Sequence, residues 1–311
     1  MFLSFYHFIW SFLGALFFGF PSKRIFVLGV TGTKGKSTVL ELINAILEAA
    51  GKKTALLSSI RIKIGKESQK NYLGNTMPGR AFIQRFLKQA VKSGCEYALI
   101  EATSQGILQH RHRFIKWDAA LFTNLAPEHI EAHGGFENYR KAKLSFFKYI
   151  HHQPFFINRD DPSARYFIEA AEGGEVILYN KSDLPTKLAG DFNKYNIGAA
   201  VAFARSQNIS DEIIQKVIAD FSGVSGRMEF IQHEPFRVVI DYAHTPDSLR
   251  SVYQTLTSSQ DVNINKGKLI CVLGAAGGGR DKWKRPEMGK IAAEYCDEII
   301  LTNEGPGRED P

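Results

Sequence analysis

The sequence predicts an α/β protein: a central domain with a mostly parallel sheet around a phosphate-binding loop (P-loop), then an incomplete Rossmann-like α/β domain. Three observations carry that prediction. The first is Gly29-Val30-Thr31-Gly32-Thr33-Lys34-Gly35-Lys36-Ser37-Thr38, a glycine-rich turn set between an apolar run and a helical pattern. The second is a long alternation of short apolar runs with helical periodicity, which argues for parallel strands joined by crossover helices. The third is a restart of that alternation after Ser222-Gly223-Val224-Ser225-Gly226. Residues 1–22 are therefore read as a hydrophobic helix, 23–224 as the central domain and 225–311 as the incomplete C-terminal domain.

Residues 2–21 hold no Asp, Glu, Lys or Arg and are crowded with aromatics. Their number is about that of a bilayer-spanning helix, roughly 20 residues. Three readings compete. A signal peptide lacks its positive n-region and its small-residue cleavage site. A spanning helix would put Lys23-Arg24 on the cytoplasmic side. A helix lying on a membrane surface or packed on the domain accommodates Ser4, His7, Ser11 and Gly14, which break the apolar character.

Lys23-Arg24-Ile25-Phe26-Val27-Leu28 reads as a short buried strand, and Val39 to Ala50 as a helix stopped by Gly51. Thr54–Ser58 is a strand, and residues 60–69 form a hairpin arm or loop. Asn75-Thr76-Met77-Pro78-Gly79 is a turn before a helix from Arg80 to Ser93. Tyr97–Ala102 and Ala119–Thr123 are buried strands, and Phe136–Ile150 is a helix. Strands at Pro154–Ile157 and Val176–Tyr179 precede helices at Asp191–Ser206 and Asp211–Phe221. The second series places strands at Arg237–Asp241, Lys268–Leu273 and Glu298–Thr302, with helices at Asp247–Leu256 and Pro286–Tyr295. Three strands make an unfinished sheet with an open edge, which a complete domain avoids.

The loop states its chemistry. Glycines let backbone N–H groups converge on phosphate oxygens, and the following helix N-terminus adds a favourable dipole. Lys36 would reach the β- and γ-phosphates and the Ser37 hydroxyl would ligate Mg²⁺. Val30 stands where the common pattern has its first glycine, so the loop is the narrower variant G-x-x-G-T-x-G-K-S-T.

With 311 residues, 44% hydrophobic and 23% charged, the chain has the composition of a soluble globular protein of about two domains. Its net charge of +7 suits anionic ligands. No basic run is interleaved with aromatics, which argues against nucleic acid. Cys95, Cys271 and Cys296 form no C-x-x-C pair and read as free thiols of a reducing cytoplasm.

Ligands of open α/β sheets bind beyond the carboxyl ends of the strands. Glu101 closes one predicted strand, with Thr103-Ser104-Gln105 directly after it. His129 follows the next strand, Lys143 lies on the helix behind it, and Asp241-Tyr242-Ala243-His244 closes the first strand of the second series.

These residues carry a family resemblance. Gly29–Thr38, Ile100-Glu101-Ala102-Thr103-Ser104, Phe122-Thr123-Asn124-Leu125, His133-Gly134, Tyr139-Arg140-Lys141-Ala142-Lys143, Gly190–Asn196, Gly226-Arg227-Met228-Glu229 and Asp241–Asp247 resemble, in order, the motifs of the Mur ligases. The match is to the branch that adds the third residue of the peptidoglycan stem peptide, and it covers about residues 23–311. The resemblance implies transfer of the ATP γ-phosphoryl to a substrate carboxylate, then attack of an amine on the acyl phosphate. Lys36 would hold the β- and γ-phosphates, with Gly32, Thr33, Gly35 and Thr38 in the nucleotide loop and Ser37 on one Mg²⁺. Glu101 and His129 would hold a second Mg²⁺. Lys143 matches a carbamylated lysine, whose formation requires a neutral amine and so a site that depresses its pKa. Asn193 and Asn196 match contacts to the base, although an i, i+3 Asn pair also suits a helix cap. Arg227 and Asp241 match residues reaching ATP from the second domain. Thr76, Thr103, Ser104, Gln109 and Arg111 match the muramoyl-peptide site, and Arg111 suits a carboxylate or phosphate partner. The implied partners are a UDP-muramoyl-peptide-like substrate and an amino acid.

The departures are specific. The family's uridine-binding N-terminal domain is replaced by the short hydrophobic stretch. Gln105 stands where many members have a histidine. Glu304-Gly305-Pro306-Gly307 replaces the Asp-Asn-Pro-Arg of diaminopimelate-specific members, which displaces the carboxylate-gripping arginine to Arg308 at best. The remainder of the C-terminal domain is missing, so the chain alone is expected to bind nucleotide without completing an amide. Two further functions compete: a folylpolyglutamate synthase-like ligase, and a non-catalytic ATP-binding remnant that scaffolds cell-wall enzymes.

Overall fold

The computed structural model describes residues 2–79, 81–258, 267–277, 281–305, 307 and 309–310. The chain divides into two compact units. The first comprises Met1–Ala126, Arg140–Lys187 and Asn193–Ser222; the second comprises Pro127–Tyr139, Leu188–Phe192 and Gly223–Pro311.

The first unit is organised by an eight-stranded sheet. Its strands are β1 (Phe26–Thr31), β2 (Thr54–Leu57), β3 (Arg61–Ile64), β4 (Glu67–Lys70), β5 (Tyr97–Glu101), β6 (Ala119–Phe122), β7 (Phe155–Asn158) and β8 (Val176–Tyr179). They lie in the order β4-β3-β2-β5-β1-β6-β7-β8. The six from β2 to β8 run parallel. The hairpin β3–β4 adds two antiparallel strands at one edge, turning at Gly65.

Strand β1 sits between β5 and β6 and is the most enclosed. It begins three residues later than the apolar run suggests: Pro21–Arg24 forms a 3-10 turn, and the strand runs on through Gly29, Val30 and Thr31. Pro21 at the start of the turn presets its φ, which favours the turn over an extended chain there. The helices α1 (Phe2–Phe18), α2 (Lys36–Ala49), α3 (Phe82–Lys92), α4 (Ser104–Leu108), α5 (Ile130–His133), α6 (Phe136–Tyr149), α7 (Ala164–Ala170), α8 (Asp191–Ser206) and α9 (Asp211–Asp220) follow the predicted alternation, with α4, α5 and α7 as short additions and α5 belonging to the second unit. The expected start of α3 at Arg80 falls outside the described residues. Val39, Leu42, Ile43, Ile46 and Leu47 of α2 are all essentially sealed from solvent, as their helical spacing predicts. Among the described residues no helix is long and apolar enough to cross a membrane.

The second unit holds β9 (Glu229–Gln232), β10 (Val238–Ile240), α10 (Pro246–Ser258), β11 (Ile270–Leu273), α11 (Lys284–Tyr295) and β12 (Glu298–Leu301). Its strands form two pairs, β9–β10 antiparallel and β11–β12 parallel, in place of the expected three-stranded series. Strand β10 is only three residues long and is taken by β9, a partner the sequence reading did not propose. Leu249, Val252, Tyr253, Met288, Ile291 and Ala292 join α10 and α11 into this unit's core.

Candidate active site

The loop leaves β1 at Thr31 and enters α2 at Lys36, placing residues 32–35 beyond the carboxyl end of the innermost strand. Two glycines make its shape attainable. Gly32 has φ +144°, and a Cβ there would fall 1.9 Å from Thr123 Oγ1; Gly35 has φ +80°, and its Cβ would fall 2.3 Å from Asn196 Oδ1. Any other side chain would fill the cradle that the loop forms with its neighbours.

Side chains from three other elements converge on this loop. Glu101, the last residue of β5, accepts hydrogen bonds on Oε2 from Ser37 Oγ at 3.0 Å and from the Ser59 N–H at 2.9 Å. Its Oε1 lies 3.7 Å from Lys36 Nζ, and that amine also donates to the Thr33 carbonyl at 2.8 Å. Lys143 of α6 is 1% exposed and donates to the Gly32 carbonyl at 2.7 Å. On α8, Asn196 donates to Asn193 Oδ1 at 2.8 Å, and both are buried. They lie in the first turn and a half of α8, and their side chains bond one another. Thr33 and Thr38 are buried at the two ends of the turn.

Two residues given no role by the sequence brace the loop. Thr123 donates through Oγ1 to the Lys34 carbonyl at 2.7 Å. Asn124 accepts from the Lys34 N–H at 2.9 Å and donates to the Lys34 carbonyl at 3.1 Å, while its own carbonyl accepts from the Thr33 N–H at 2.8 Å. Their signal was present: a Thr-Asn pair leaving a buried strand is polar where the run before it is not.

The residues expected at the muramoyl-peptide site also gather. Thr103 caps α4, accepting from the Gly106 N–H at 3.2 Å, and Ser104 is buried behind it. The Arg111 guanidinium donates to Gln109 Oε1 and to the Met77 carbonyl, tying this segment to the turn that carries half-buried Thr76. Burial holds the Arg111 guanidinium below its ordinary pKa.

His129, Arg227 and Asp241 belong to the second unit. His129 has a left-handed backbone, φ 55°, and its Nε2 lies 3.7 Å from Glu128 Oε1. Glu128, which the sequence reading passed over, is buried and bonded at 2.7 Å to His244 Nε2; His244 Nδ1 in turn contacts the Tyr242 carbonyl at 2.7 Å. The Asp281 carboxylate accepts from the Ile130 and Glu131 N–H groups at 3.2 and 2.9 Å. Asp241 accepts from the Met228 and Ala243 N–H groups at 2.8 and 2.6 Å. Burial nevertheless raises the Asp241 pKa against those bonds and the nearby Arg227 charge. Arg227 stacks its guanidinium 4.5 Å from the centre of the Tyr242 ring. Gly305 and Gly307 are described, whereas Pro306 and Arg308 lie outside the described residues.

Among the described residues no group of three or more His, Cys, Asp or Glu is placed to hold a metal ion. The expected Mg²⁺ set contains only two such residues, Glu101 and His129. Its chemistry fits at the loop, where the Ser37 hydroxyl and the Glu101 carboxylate are adjacent oxygen donors of the kind a hard cation takes.

Comparison with known proteins places the chain in a family. A profile of the Mur ligase middle domain matches residues 30–185, and one described as Mur ligase, glutamate ligase domain matches residues 226–311. The UDP-N-acetylmuramoyl-L-alanyl-D-glutamate–2,6-diaminopimelate ligase of Syntrophomonas wolfei is 36% identical over 96% of this chain and 66% of its own length. A solved structure of a ligase of that name superposes with a TM-score of 0.66 at 27% identity, covering 93% of this chain and 64% of the other. The Mycobacterium tuberculosis folylpolyglutamate synthase, solved with ADP and AMPPCP, gives a TM-score of 0.77 at 15% identity over 97% of this chain and 80% of its own, a likeness of fold alone. The chain thus spans about two thirds of the length of the ligases it matches. With the middle-domain profile lying over the loop, Glu101 and Lys143, and the second profile over Arg227 and Asp241, the chain belongs to the Mur ligase family.

Proposed function

We propose that this chain carries the ATP-handling part of a ligase of peptidoglycan precursor synthesis, one that joins an amino acid to a UDP-muramoyl peptide. The observation that carries the reading is the convergence of Lys36, Ser37, Glu101 and Lys143 on one glycine-shaped loop. Residues 23–224 act as the ATP-binding domain and residues 225–311 as part of the C-terminal domain. ATP as donor and a nucleotide-linked acceptor put the reaction in the cytoplasm.

In the first step a substrate carboxylate oxygen attacks the γ-phosphorus of ATP. The bond to the β–γ bridging oxygen breaks, ADP leaves, and an acyl phosphate forms. In the second step the amino group of the incoming amino acid attacks the acyl carbon, phosphate leaves with the bonding pair, and the amine loses a proton. Negative charge moves in both steps, so positioning and electrostatic stabilisation supply most of the acceleration. Lys36 holds the β- and γ-phosphates once it exchanges its Thr33 carbonyl for phosphate oxygens. Asn193 and Asn196 border the loop from α8, Asn196 filling the space a Cβ on Gly35 would need. Ser37 would hold one Mg²⁺ and Glu101 with a carbamylated Lys143 a second, each neutralising phosphate charge when bound. Thr76, Thr103, Ser104, Gln109 and Arg111 serve the acceptor. A folate acceptor is disfavoured, since the relatives matched in sequence act on the muramoyl peptide.

Trapping tests the reading. With ATP, Mg²⁺ and UDP-muramoyl dipeptide, added hydroxylamine should convert the acyl phosphate to a hydroxamate, with ADP formed in equal amount. Lys36→Ala should abolish both while leaving the far-UV spectrum unchanged. Hydroxamate formed only with a folate, or ADP formation unaffected by Lys36→Ala, would overturn it.

A further inference from the structure

The N-terminal helix is built inside out for a protein surrounded by water. Helix α1 buries Gly14 and Ala15 and half-buries His7, Ser11 and Phe18. Ser11 Oγ donates to the His110 carbonyl at 3.0 Å, and a Cβ on Gly14 would fall 2.5 Å from that of Ala81. The helix is therefore seated largely through its small and polar edge. Phe5, Ile9, Trp10, Leu13, Leu16 and Phe17 are exposed instead, Phe5 at 64%, Leu16 at 56% and Phe17 at 83%. A surface helix normally turns its apolar stripe to the core and its polar stripe to water. A contiguous apolar face of this kind marks an interaction site.

The surroundings identify what covers it. Helix α3 packs against both α1 and the Pro21–Arg24 turn, and Phe8 and Phe12 meet the Phe114 ring at 5.1 and 5.2 Å. Residues 2–25, 82–93 and 108–116, which form this region, contain eight Lys or Arg and no Asp or Glu; of these, Lys116 is paired with Asp118 just beyond, and Arg111 is tied inward to Gln109 and Met77. Lys23, Arg24, Arg85 and Lys92 are exposed. An uncharged aromatic face beside exposed cations is complementary to acyl chains beneath anionic headgroups. Trp10 and Tyr6 add rings of the type that settle at the headgroup level. One edge of α1 is seated on α3 and Phe114, so the helix lies along the protein with its aromatic face outward.

We propose that α1 docks this protein on an anionic membrane leaflet, its aromatic face in the acyl boundary and the exposed cations on the headgroups. This stands independently of the ligase reading. The full chain is sedimented with vesicles of phosphatidylcholine alone and of phosphatidylcholine mixed with phosphatidylglycerol. Binding to the mixed vesicles should be at least about tenfold tighter and should weaken as salt is raised. Trp10 emission should shift to the blue on binding, and Trp10→Phe should remove that shift. Leu16→Ser/Phe17→Ser should lower affinity for mixed vesicles by about tenfold or more, through lost apolar burial; Lys23→Gln/Arg24→Gln should lower it several-fold, each with an unchanged far-UV spectrum. Failure to bind either vesicle, or binding that neither double variant weakens, overturns the proposal. So does a lipid-free dimer dispersed by Leu16→Ser/Phe17→Ser without vesicle binding, which would assign the face to a second copy.

Discussion

At the scale of single residues, Gly35 shows how tightly the loop is specified. Its positive φ disfavours any L side chain by roughly 1–2 kcal/mol, and Asn196 occupies the space a Cβ would need. Gly35→Ala should weaken ATP binding by about tenfold or more, because the loop must shift away from the geometry its amides require. Gly35→Ala/Asn196→Ala removes the collision but keeps the backbone strain, so it should recover only part of the stability lost, read as the thermal midpoint. Full recovery would show that the backbone conformation costs nothing. Lys143 is the other telling residue: Lys143→Ala should abolish hydroxamate formation, with short carboxylic acids restoring a fraction of it. A fully active Lys143→Ala protein would remove that residue from the site.

At the scale of elements, the segment from Pro127 to Tyr139 is held by carboxylates. Asp281 caps the first N–H groups of α5, Glu131 Oε1 accepts from the Lys282 N–H at 3.0 Å, and Glu128 pairs with His244. A four-residue helix has too few internal bonds to persist by itself, so these contacts set the backbone that carries His129. Asp281→Ala should speed amide exchange at Ile130 and Glu131 by about tenfold, while leaving β1 protected. Unchanged exchange at those two amides would mean that α5 does not depend on its cap.

At the scale of the whole molecule, buried His112 links stability to pH. Burial and the nearby Arg113 charge push its pKa down to about 3, against an unfolded value near 6.5. The folded state holds His112 neutral, so between these values the unfolded state binds more protons and stability falls as pH falls. Above roughly pH 6.5 the contribution is flat; below it each pH unit costs up to about 1.4 kcal/mol until the folded pKa is reached. His112 packs edge-on against Phe146 and Tyr149, and His112→Phe should flatten this slope between pH 4 and 6 in chemical denaturation. A slope unchanged by the substitution would assign the acid sensitivity to other groups.

The sequence by itself determined what is local. Period and punctuation located most of the strands and the longer helices, because apolar spacing and glycine stops act within a few residues of one another. The loop residues, Gly32 to Thr38, were legible for the same reason: their spacing is their chemistry. The tertiary structure decided what is distant. That Glu101 faces Ser37, that Lys143 reaches the Gly32 carbonyl across 111 positions and Thr123 the Lys34 carbonyl across 89 depends on β5 and β6 flanking β1, a pairing no local pattern encodes. The pairing of β10 with β9, and of Glu128 with His244, went unread because each partner alone looks like an ordinary polar or short segment. For α1 the sequence showed only an uncharged aromatic helix. Which edge meets the protein was settled by close approach, since Gly14, Ala15 and Ser11 let the helix seat where its larger residues would not fit.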